Sequence, residues 1–129
     1  MDFPENLRYT KDHEWLRMDG NEAVIGITDF AQHSLTDIVF IELPAVGKKV
    51  LQFKNLSVVE SVKSVSDVFS PMSGEVVKVN TELTKKPEFI NQDPYGEGWI
   101  AQLKNINKDE LKNLMSADDY TKYLETAHH

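Results

Sequence analysis

The residue in this chain best placed for covalent chemistry is Lys63. It stands alone between two valine-rich runs, Val58-Val59-Glu60-Ser61-Val62-Lys63-Ser64-Val65-Ser66-Asp67-Val68-Phe69. The flanks are small or β-branched and favour extended structure, which puts the bend near Lys63 itself. No Asn-Gly or Asp-Gly marks a tight two-residue turn there. A lysine at such a tip offers a primary amine to solvent on a rigid two-stranded mount, a geometry suited to a covalently attached swinging arm. The same placement serves a lysine that only keeps a hydrophobic hairpin soluble, and this stretch alone favours that plainer use.

The nearby carboxylates have two uses of their own. Glu60 lies three residues before Lys63 and Asp67 four after it. They balance its charge at an exposed tip, an arrangement worth little in stability. Alternatively, they mark the site for an attaching enzyme or hold a cationic group carried by the arm. Glu14 joins in that last role only where the first hairpin packs near the tip. His13-Glu14 reads equally as half of an acid–base pair and as an exposed loop pair.

Self-contained catalysis has little support. The chain has no Gly-x-Ser-x-Gly elbow, no phosphate loop and no Rossmann glycine fingerprint. His13, His33, His128 and His129 stand at no recognisable metal-ligand spacing, and His128-His129 reads as native or as the remnant of an added tail. The absence of cysteine excludes disulfides, thiolate nucleophiles and zinc–thiolate sites.

The elements that must position Lys63 read as mainly β. Leu7–Thr10 and Glu14–Met18 are short strands, Asp19-Gly20-Asn21 is turn chemistry, and Glu22–Ile27 is the return strand. Thr28 is an N-cap for about two helical turns from Asp29, whose carboxylate suits the helix dipole. Asp37–Leu43 is a strong strand ended by Pro44. Leu56–Val62 and Val65–Phe69 are the arms about Lys63. Glu75–Asn80 follows, its side chains alternating as in a half-buried strand. A helical turn is expected at Pro87–Asn91, a loop at Asp93–Gly98 and a last strand at Trp99–Leu103. Two late helices follow, one begun by Asn107 or Asp109 and one capped by Ser116. Val46–Val50 and Ser73–Val77 form a faint echo, a glycine corner opening a strand, which predicts two similar β layers with Lys63 near their join.

At 129 residues the chain suits one domain, with a core over about 7–104 and a helical segment over about 107–126. The net charge of −7 argues against a nucleic-acid partner and fits docking on basic protein surfaces. No apolar run approaches the 18 or so residues that cross a membrane. Met1-Asp2-Phe3-Pro4-Glu5 has neither basic nor apolar signal regions. A bacterial cytoplasmic protein is expected, or a mitochondrial matrix protein if the chain is a trimmed form.

Taken together, several runs resemble the glycine cleavage system H-protein family of lipoyl carriers. The lipoylation region is matched by Val59–Asp67 followed by Ser70-Pro71-Met72-Ser73-Gly74-Glu75-Val76. The other runs are Tyr9–Trp15, Gly26–Gln32, Asp37–Pro44 and Asn91–Trp99, and the likeness spans about Leu7 to Leu124. A biotin carrier would show Met-Lys-Met where this chain has Val62-Lys63-Ser64. The resemblance implies a barrel-sandwich hybrid, the lipoyl-domain fold, with a short helix after the first hairpin and C-terminal helices.

It also implies a non-catalytic carrier with lipoate amide-linked to Lys63. The arm would take an aminomethyl group from glycine decarboxylase, a pyridoxal-phosphate enzyme, to aminomethyltransferase and its tetrahydrofolate. Electrons would pass to dihydrolipoamide dehydrogenase. A lipoate-attaching enzyme would read Glu60. In the family the loaded arm folds into a cleft on the carrier; the residues matching it here are Glu14, Ser34 and Asp67. Where relatives often carry histidine this chain has Ser34, and His33 points about 100° away on a helix. The alternative is a lipoyl donor or relay that serves as scaffold for lipoylating other enzymes.

Overall fold

A computed structural model describes residues 1–127; His128-His129 lies outside the described residues. Nine strands form two sheets. They are β1 (Arg8–Tyr9), β2 (Glu14–Asp19), β3 (Glu22–Ile27), β4 (Ile38–Glu42), β5 (Lys49–Val50), β6 (Asn55–Ser61), β7 (Val65–Phe69), β8 (Gly74–Val79) and β9 (Ala101–Lys104). One sheet has the order β1-β2-β3-β9-β8-β5, the other β4-β6-β7, and every pairing is antiparallel. The inner faces meet in one apolar core, to which Ile25, Val76 and Leu103 come from the large sheet and Ile41, Val59 and Val68 from the small one. The chain thus forms the expected mainly β barrel-sandwich.

The first hairpin owes its fit to a glycine. Trp15 pairs with Gly26 across β2 and β3, and a Cβ at Gly26 would lie 2.6 Å from the indole ring. The indole is fully buried and donates its Nε1–H to Pro94 O at 3.0 Å. Helix α1 (Asp29–Leu35) starts where Thr28 Oγ1 accepts from Ala31 N, as predicted.

The C-terminal segment closes one end. After the short helix α2 (Phe89–Gln92), a 3-10 helix, Lys108–Asn113, precedes helix α3 (Ala117–Ala127), and Ser116 Oγ accepts from Asp119 N at the start of α3. The first of the two expected helices is therefore the tighter form. Asn107 Oδ1 accepts from Asp109 N at its start, and by Met115 the backbone must already be extended to bridge Tyr9. Tyr120 of α3 stacks on Tyr9 with centroids 4.8 Å apart. Its hydroxyl lies 2.8 Å from both Thr28 Oγ1 and His13 Nδ1, which ties α3 to the start of α1.

Two expectations are corrected. Val46–Val50 and Ser73–Val77 do not form separate layers. They are antiparallel neighbours in the large sheet, with Lys49 opposite Glu75 and Val50 opposite Gly74, while Lys63 belongs to the other sheet. The alternation in β8 also fails, because its register shifts between Val76 and Lys78. That bulge sends both Val76 and Val79, three residues apart, toward the core.

Candidate functional site

Lys63 occupies the turn between β6 and β7, as its neighbours predicted. The turn is made by a side chain. Ser61 Oγ accepts from the amides of Lys63 (3.3 Å) and Ser64 (3.1 Å), and Ser61 N donates to Ser64 O at 2.8 Å. Val62 N donates to Asp37 O at 3.0 Å, which pins the turn to the segment entering β4. The Lys63 side chain takes no part in this network. It is exposed and forms no ion pair among the described residues. The sequence carried the signal for this turn in Ser61, two residues before the lysine.

Toward the turn the side chains of β6 and β7 alternate, although a register shift between Asn55 and Ser57 leaves both Leu56 and Ser57 buried at the start of β6. Val59 and Ser61 point inward. Val58 and Glu60 lie on the outer face, opposite Asp67 and Val65 respectively. Glu60 and Asp67 are both exposed, and Asn55 Nδ2 donates to Asp67 Oδ1 at 3.1 Å. Strand β4 departs from alternation. Ile38 and Ile41 enter the core, and a register shift between Ile38 and Phe40 turns both Val39 and Phe40 outward. Periodicity over Asp37–Leu43 gave no warning of this.

Glu14 and His13 are not an exposed loop pair. Glu14 is only 1 % exposed, and His13 is half-buried against Tyr120. Glu14 Oε1 accepts from Thr10 Oγ1 at 2.5 Å and Oε2 accepts from Phe69 N at 3.1 Å. The second bond reaches from the start of β2 to the far end of β7, so the first hairpin does pack against the strand that leaves Lys63. Burial pushes the Glu14 carboxyl up to about 7, against the opposing pull of the Thr10 and Phe69 hydrogen bonds. Thr10, four residues before Glu14 in a turn, and the Phe69 amide were not found from sequence.

Ser34 sits on the exposed side of α1. That helix is held from below by Asn91, whose side chain donates to Gln32 Oε1 and Thr36 O and accepts from Ile38 N. Glu14 thus meets the end of β7 from the buried side through the Phe69 amide, Asp67 lies exposed on the outer face of that strand, and Ser34 stands on a separate element. A cleft of about 430 Å³ lined by Tyr9, Thr10, Lys11, Phe53 and Met115, among others, contains none of the three; it reaches Glu14 only through Thr10. Among the described residues no group of three or more His, Cys, Asp or Glu could hold a metal ion. No helix among them is long and apolar enough to cross a membrane.

Comparison with known proteins adds a family to this geometry. The family model described as "Glycine cleavage H-protein" matches residues 7–127. The glycine cleavage system H protein of Halothermothrix orenii is 51% identical over 125 residues, covering 97% of this chain and 98% of that relative. Its counterpart from Symbiobacterium thermophilum is 56% identical over 117 residues, covering 91% of each. The crystal structure of a glycine cleavage system H protein from Mycobacterium marinum superposes with a TM-score of 0.83 at 33% identity. It covers 98% of this chain and 100% of that one.

Proposed function

The chain belongs to the glycine cleavage H-protein family, and from that premise we propose that it is the lipoyl carrier of glycine cleavage, loaded on Lys63. It moves the aminomethyl group from glycine decarboxylase to aminomethyltransferase, and electrons to dihydrolipoamide dehydrogenase. It catalyses none of these steps alone, acts as one unit over its whole length, and works in the bacterial cytoplasm.

The observation that carries the reading is the exposed amine of Lys63 on a turn fixed by Ser61 and Asp37. A primary amine without an internal ion pair among the described residues fits amide attachment of a carboxylic acid. Bound there, lipoate would supply a dithiolane that exchanges two electrons and a one-carbon group at its sulfurs. The chain's own part is mechanical and electrostatic. A rigid turn carrying a tethered group raises its effective concentration at each partner's active site.

Glu60, on the rung next to the turn, is the mark read by the lipoate-attaching enzyme. Asp67 and Glu14 are the anionic residues that receive a cationic load, by charge-assisted hydrogen bonding. Both Glu14 oxygens already have a donor, but each has a second lone pair. Burial also strengthens any charge contact made there. Ser34 is the third residue of that resting place and acts by its hydroxyl.

The test is intact-mass and peptide mass spectrometry of the protein incubated with lipoate, ATP and lipoate ligase. A single lipoyl addition on Lys63 is expected; an unmodified Lys63 under those conditions would refute the proposal.

A further inference from the structure

The outer face of the β4-β6-β7 sheet interleaves its carboxylates with large exposed apolar side chains, where a solvent-facing sheet is ordinarily polar. Phe40 is 54 % exposed, Val62 66 % and Val65 65 %. Phe40 and Val65 flank Glu60 on the rung nearest the lysine turn, and Val62 immediately precedes Lys63. The β4 bulge adds Val39, 51 % exposed, beside Phe40. A strictly alternating strand would turn one of those two inward, and leaving both in water forgoes the burial of a large side chain. Clustered exposed apolar residues of this kind mark interaction surfaces. Around them Asp37, Glu42, Glu60 and Asp67 are exposed, and the three strands carry no lysine or arginine. Lys63 stands at one edge of the patch, and Lys54 lies just before β6 at the far end of the sheet.

We propose that this face is the docking surface for the lipoate-attaching enzyme, which meets it with an apolar socket rimmed by lysine and arginine. The inference rests on the carrier reading above. Charge complementarity gives the partner its basic rim, and reach decides which partner it is. Before modification the nucleophile is Nζ itself, at the end of one lysine side chain. An enzyme that acylates it must close over the turn and touch what lies beside it. After modification the reacting atoms sit at the end of a longer arm, and the enzymes that act on them have no need to touch this sheet. The attachment step forms one amide bond between Nζ and the carboxyl carbon of a lipoyl adenylate. Adenylate leaves with the electron pair of the broken acyl–phosphate bond. The lysine ammonium gives up two protons, one to become nucleophilic and one on amide formation, and nothing is oxidised or reduced.

The experiment uses the full chain with Phe40→Ser, Val65→Ser and the double substitution. Each is given to lipoate ligase with ATP and lipoate and followed by intact mass. KM for the carrier is expected to rise about tenfold for Phe40→Ser and further in the double variant. kcat and Tm should change little, because neither side chain belongs to the core. Glu42→Gln with Glu60→Gln should flatten the salt dependence of kcat/KM. An unchanged KM in the double variant would overturn the proposal. So would an equal KM rise with glycine decarboxylase after that variant has been fully lipoylated, since the face would then serve partners in common. Failure of the wild-type chain to accept lipoate would instead overturn the carrier reading, and this inference with it.

Discussion

The Lys63 turn and the Glu14 pocket stand at opposite ends of strand β7 and follow opposite designs. Four residues of strand, about 13 Å at the usual rise, separate Val65 beside the turn from Phe69 at the pocket. At the first end every internal hydrogen bond is made by backbone or by Ser61, and the lysine is left to solvent. At the second a carboxylate is almost completely buried, with a donor on each oxygen. The contrast teaches how one small fold divides a carrier's work. An amine that an attaching enzyme must reach cannot be committed to internal partners. A carboxylate committed to the core bears the cost of desolvation, offset in part by its two donors.

The substitution with the largest effect falls at the exposed end. Lys63→Arg keeps a cation at the tip but removes the amine that forms the amide. Lipoylation and support of glycine decarboxylation should both be lost completely, with Tm unchanged. Residual decarboxylation above background would break the contrast, because some other residue would then be the offered one.

The buried end should show itself through pH and not through loss of attachment. Burial raises the Glu14 carboxyl from its ordinary 4.5 to about 7. Between those values the folded chain holds a proton that the unfolded chain has released, so stability declines as pH rises. The contribution is complete below 4.5 and gone above 7. A shift of this size is on the order of 3 kcal/mol. Glu14→Gln should therefore be more stable than wild type at pH 8 and equal to it near pH 4, as read from urea denaturation at each pH. Identical slopes in the two proteins would mean that Glu14 is not the buried, proton-linked group.

What could be read from sequence differs between the two ends for a physical reason. The hairpin about Lys63, the Thr28 cap and the strand from Ile38 are local features, written in β-branched runs and a capping residue. The burial of Glu14 depends on contact between the start of β2 and the end of β7, which no local pattern encodes. The outward turn of both Val39 and Phe40 depends on a register shift against β6, and alternation alone predicts the opposite for one of them. Ser61 lay in plain view, but a serine turn has no signature as sharp as Asn-Gly.

The smallest effect tests how far the sheltered region extends. Ser34 is exposed on α1, an element apart from the Glu14–Phe69 bond and from Asp67. Ser34→His should change stability by no more than about 0.5 kcal/mol, as exposed substitutions generally do. Its imidazole would enter the last turn of α1, where His33 already stands and where positive charge is weakly favoured. Should a cationic load rest against this helix, a neutral imidazole at 34 offers it a further acceptor and slows ammonia release from the loaded carrier a few-fold at pH 7.5. Below about pH 6 the imidazole is protonated and repels the load, so the gain should reverse. Release measured at both pH values separates the two cases. A rate unaffected by Ser34→His at either pH would leave position 34 outside the proposed resting place.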